Sequence, residues 1–166
     1  MNAFRHLALL GCSLGAILAA AAPAQAQLLT HKDLSAAMAL TIAQTAMATC
    51  VGNGYHVSVT VLGRNGEVIV QIRGDDANPH TVENSFRKAY TSRTFRIASG
   101  EIAKRFKDDP SYFAVRLTNV IPAQGALPIK APDDVIGAVG VSGSPGGEKD
   151  EVCAKAGIDK VADTLK

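Results

Sequence analysis

The sequence predicts a single α+β (α/β) domain, an antiparallel sheet with the N- and C-terminal helices packed together on it. Three observations predict this. Two pairs of strand-like segments each close through a short turn, hairpins oblige antiparallel pairing, and helix-length segments stand at both ends of the strand set.

Taken in order, the first helix is expected from Thr30 to Val51. Thr30 followed by Asp33 resembles a capping box, and Leu34, Met38, Ile42 and Thr45 share a helical face. Gly52-Asn53-Gly54 supplies residues that tolerate the left-handed conformation needed past a helix end. Residues 56–62 and 67–73 alternate with period two, placing Val57, Val59 and Val61 on one face and Val68, Val70 and Ile72 on one face. Between them, Asn65-Gly66 is the pair favoured in a type I′ hairpin turn.

Residues 74–79 read as a loop. A second helix is expected from Thr81 to about Ala98, with Val82, Phe86, Ala89, Tyr90 and Arg93 at spacings of three and four. Ser99-Gly100 breaks it, and 101–106 forms a short helical piece. Residues 111–124 show no clear period. A second hairpin follows, 126–130 against 134–142, whose second arm is continuously apolar with glycines, as in a central strand covered on both faces. The last helix is expected over 148–165, with Glu148, Asp150 and Glu151 at its positive end.

Residues 1–26 have the pattern of a secretory signal peptide rather than of the fold. A short basic start (Arg5, His6) precedes an apolar run from Leu7 to Ala22, and Ala24-Gln25-Ala26 matches the small-x-small cleavage pattern. Cleavage before Gln27 is expected, leaving no membrane span and a periplasmic or secreted domain over 27–166. The apolar run is short for a retained anchor. In that setting Cys50 and Cys153, near the end of the first helix and the start of the last, are a disulfide candidate; the alternative is two buried thiols.

Composition excludes other classes. The 17 Lys+Arg and 15 Asp+Glu are scattered, so no basic stripe awaits a phosphate backbone, and nucleic acid is not expected as a partner. The sequence has no Rossmann, P-loop or nucleophile-elbow pattern, which favours a binding protein over a hydrolase or dehydrogenase.

Gly137-Ala138-Val139-Gly140-Val141-Ser142-Gly143, with the glycine loop after it and Asp150-Glu151, resembles the GlcG/HbpS haem-binding family, a domain also found at the C-terminus of PduO-type proteins. Gly125-Ala126-Leu127-Pro128-Ile129, Arg87-Lys88-Ala89-Tyr90-Thr91, and Arg73 with Asp75 extend the resemblance over nearly the whole segment after the leader. Residues 76–80 depart from the family pattern, which places the pocket rim in question. The resemblance implies a homo-oligomer and, in several members, non-covalent heme for capture, storage or sensing. The alternative it leaves is a periplasmic enzyme or accessory protein acting on a small organic acid such as glycolate.

A bound haem needs an apolar slot, cations for its propionates and an axial ligand. His80, at the start of the second helix, is the first candidate ligand, with His31 and His56 as alternatives. Each also reads as a structural or surface residue. Arg73, Arg87, Lys88 and Arg93 are candidates for the rim, and Gly143, Gly146 and Gly147 for backbone N–H groups facing an anion. The bland readings are an exposed basic helix face and turn glycines.

Overall fold

The computed structural model describes residues 27–166, so the expected signal peptide lies outside the described residues. Residues His31–Lys166 form one unit. Helix α1 (Ala36–Gly52) begins later than expected because Ser35, not Thr30, caps it: the Ser35 hydroxyl accepts from Met38 N at 3.2 Å. Asp33 is drawn elsewhere, accepting from Arg64 Nε at 3.1 Å. The helix buries Ala39, Ile42, Ala43, Ala46 and Cys50.

Strands β1 (Ser58–Leu62) and β2 (Val68–Arg73) form the first hairpin. Its turn is not type I′, since Gly66 at φ 81° takes a positive φ and Asn65 does not. Gly66 N donates to Gly63 O at 3.2 Å and Gly63 N to Glu67 O at 2.9 Å, giving a longer loop with a bulge at Val61/Leu62. The Glu67 carboxylate holds this form by accepting from Asn65 N at 2.9 Å.

Strands β3 (Ala126–Ala131) and β4 (Asp134–Ser142) complete a fully antiparallel sheet of order β2-β1-β4-β3. Val57, Val59, Val61, Val139 and Val141 form the core beneath α1 and α4 (Gly147–Lys160). These two helices pack closely: a Cβ at Gly157 would stand 2.6 Å from the Ile42 carbonyl oxygen. A disulfide joins Cys50 of α1 to Cys153 of α4, with Cα atoms 5.6 Å apart. The last helix ends at Lys160, and a 3₁₀ turn over Ala162–Leu165 replaces its expected final turn.

Helix α2 (His80–Phe95) covers the opposite face of the sheet. Its apolar-spaced residues Val82, Phe86 and Tyr90 are only half-buried. The inner face is instead Thr81, Ser85, Lys88, Ala89 and Ser92. The sheet beneath dictates this, because β1 turns Ser58 and Thr60 towards the helix. Their hydroxyls pair with Thr81 and Ser85, each at 2.8 Å. Helix α3 (Ser99–Asp108) uses the expected break as its first turn, and the buried Ser99 hydroxyl accepts from Ala126 N at 3.0 Å. A 3₁₀ turn, Phe113–Arg116, interrupts the irregular segment before β3.

Candidate functional site

Several candidates meet at one end of the sheet, where β1 begins, β2 and β4 end, and α2 starts. Ser58 pairs with both Arg73 and Ser142 in the strand register, and its hydroxyl reaches Thr81 beside His80. His80 is exposed as the first residue of α2. His56 Nδ1 lies 3.0 Å from Asp75 O. Gly143 has φ 133°, and a Cβ there would stand 2.8 Å from Val57 Cα, so close chain passage requires glycine. Gly146 is extended backbone at the start of α4, and a Cβ at Gly147 would stand 2.7 Å from Gln124 Cβ. The positive end of α4 already holds its own Glu148 and Asp150.

The cations expected at the rim of this end all donate within the protein, but only Lys88 and Arg87 meet a carboxylate, and Arg73 is exposed with a carbonyl alone for partner. Arg73 donates to Ala77 O through Nε, at 2.9 Å, and Nη2. Arg87 donates to Val120 O at 3.1 Å. Lys88 is not a rim residue at all, since its side chain is only 8% exposed and its amine meets Asp150 at 2.8 Å and Val141 O at 3.2 Å. Asp150 in turn accepts from Ser144 N at 3.0 Å. Burial pushes the Asp150 carboxyl upward against the opposing pull of Lys88. Sequence reading missed this pair because a lysine on one helix and a helix-start aspartate 62 residues away carry no joint signal.

The remaining candidates lie at the opposite end. Arg93 sits in the last turn of α2, close enough to Arg64, Arg96, Asp134 and Glu67 to feel their charges. Its Nε is buried without a partner, and burial, with Arg96 second, lowers its pKa. His31 is exposed next to Lys32, whose carbonyl accepts from Arg64 Nη2 at 2.6 Å. Arg64 also binds Asp134, holding that carboxyl below the usual range.

Three hollows of the surface lie elsewhere again, along β3 and past its C-terminal end, while a smaller one of ≈ 220 Å³ lies by the start of α4 between Asn53, Tyr55, Lys149 and Val152. One of ≈ 530 Å³ lies between the start of α3 and α4, with Ile97, Leu127 and Ile158 in its walls. A second of ≈ 400 Å³ shares Pro128, Lys130 and Ile158 with it. A third of ≈ 300 Å³ shares Ala131 and Leu165 with the second and reaches Lys32 and Asp33 beside His31. His80, His56, Arg73 and the three loop glycines line none of these three. Among the described residues, no group of three or more His, Cys, Asp or Glu side chains is arranged for a metal ion, and no helix is long and apolar enough to cross a membrane.

Comparison with known proteins places this architecture. The family model described as "Haem degrading protein HbpS-like" matches residues 34–159, from the residue before the α1 cap to the last turn of α4. The chain belongs to the HbpS-like family. Within that family's reach, an uncharacterized 15.0 kDa protein encoded in the dhaT-dhaS intergenic region of Citrobacter freundii is 31% identical over 129 residues, covering 76% of this chain and 90% of that protein. A double mutant of HbpS from Streptomyces reticuli is 32% identical with a TM-score of 0.77, covering 86% of this chain and 98% of the other. PduOC, solved as a heme complex, shares the fold at 22% identity with a TM-score of 0.69, covering 76% of this chain and 93% of the other.

Proposed function

We propose that this HbpS-like chain is an exported, non-covalent haem-binding protein that works as a homo-oligomer in haem capture, storage or sensing. The observation that carries the reading is the family match across residues 34–159, supported by the heme complex of the structurally similar PduOC. The leader pattern over 1–26 supports export, and a disulfide between Cys50 and Cys153 suits an oxidising compartment. The residues present fit haem in two respects. Mainly apolar hollows of ligand size lie beside lysines, and the exposed His31 adjoins Lys32 and Asp33 of the third hollow, while the exposed His56 and His80 stand at the other end of the sheet. When bound, haem would supply an iron centre open to redox chemistry; the chain's part is to hold and shield the macrocycle.

An absorbance titration of the purified protein with haemin tests this. A saturable Soret shift is expected, and its loss in His80→Ala, His31→Ala or His56→Ala identifies the iron ligand. No spectral change, together with thermal stabilisation by glycolate-like acids, would instead support an organic-acid protein.

A further inference from the structure

We infer that the β3-side trough, not the glycine-loop end, is where an apolar ligand bearing carboxylates lies; this deepens the haem reading above and rests on it. Four observations converge. The ≈ 530 Å³ and ≈ 400 Å³ hollows adjoin through Pro128, Lys130 and Ile158, so they form one extended trough of the size small-molecule sites use. At their junction stands Lys130, exposed and, among the described residues, without an ion-pair partner within 4.0 Å, whereas Lys155 and Lys166 on the margins are paired with Asp159 and Asp163. An ammonium beside an apolar wall is the complement of a ligand whose body is apolar and whose end is a carboxylate; Glu101, at the far margin, sets the end such a carboxylate avoids.

The third observation concerns the strand itself. β3 is an edge strand, and an open edge ordinarily invites another strand. Pro128 stands in its middle without an N–H, so strand addition is interrupted where the two hollows meet. The fourth is the state of the alternative. At the glycine-loop end Lys88 is buried on Asp150, Arg73 turns two of its donors to Ala77 O, and the loop glycines line none of the hollows along β3.

Metal-free protoporphyrin IX separates the trough from the iron ligand, because it keeps the apolar ring and both carboxylates but needs no histidine. Fluorescence titrations of wild type, Lys130→Glu, Lys130→Arg and Ala162→Trp would decide. Ala162 is exposed and lines the ≈ 400 Å³ hollow, so its replacement fills the trough without touching the core. Lys130→Glu and Ala162→Trp are expected to weaken porphyrin binding by about tenfold or more, while Lys130→Arg binds as wild type. Wild-type affinity in both trough variants would overturn this placement while leaving the haem reading intact. Failure of the wild type to bind either haemin or protoporphyrin would overturn both.

Discussion

At the scale of single residues, the Lys88–Asp150 pair has the largest electrostatic stake. Both side chains are almost fully buried, so removing one partner strands the other charge away from water. Asp150→Asn or Lys88→Met is expected to cost about 3–5 kcal/mol in urea unfolding, whereas an apolar replacement of both is expected to cost less than the sum. Side-chain carboxyl titration by NMR should find Asp150 above the ordinary aspartate range and Asp134 below it. The two act oppositely on folding. Asp134's contribution is present above the ordinary carboxyl range and is lost as pH falls through its lowered pKa, while Asp150's is present below that range and is lost as pH rises through its raised one. The reverse order of the two midpoints would contradict the assigned environments.

At the scale of elements, α2 explains both a success and a failure of sequence reading. The hairpins were legible because β1 and β2 alternate with period two about a short turn, and β4, buried along nearly its whole length, is continuously apolar with glycines. The inner face of α2 was not, because hydrophobic spacing points to Val82, Phe86 and Tyr90 while the sheet offers Ser58, Thr60 and Gly140. A helix settling onto such a surface closes through hydroxyl pairs, and polar positions carry no periodic signature of that. Gly140 permits the approach, since a Cβ there would overlap the Ser85 carbonyl and stand 2.7 Å from Ala89 N. Gly140→Ala is expected to destabilise by about 1–3 kcal/mol in chemical denaturation, and an unchanged midpoint would contradict the close packing. The α1–α4 layer depends similarly on the disulfide, which closes a separation of 103 residues. Replacing both cysteines with serine should cost about 2–5 kcal/mol, read as a lowered thermal midpoint.

At the scale of the whole molecule, the fold was readable from turns, glycines and strand alternation, but the geography of the site was not. His56, Arg73, His80 and Gly143 do meet at one end, as residues at strand ends and a helix start can. What the chain could not announce is that Lys88 is buried against Asp150, nor that mainly apolar hollows open along β3, walled by α4 and the start of α3, which come from distant parts of the sequence. Concavity is a property of packed elements, and no single segment encodes it. The proposed function requires this HbpS-like body to hold an iron porphyrin. Isothermal calorimetry of the purified chain with haemin tests it most directly: a saturable one-site heat with a Kd of about 1 μM or tighter is the expected result, corresponding to about −8 kcal/mol. A flat trace with folded, disulfide-bonded protein would contradict it.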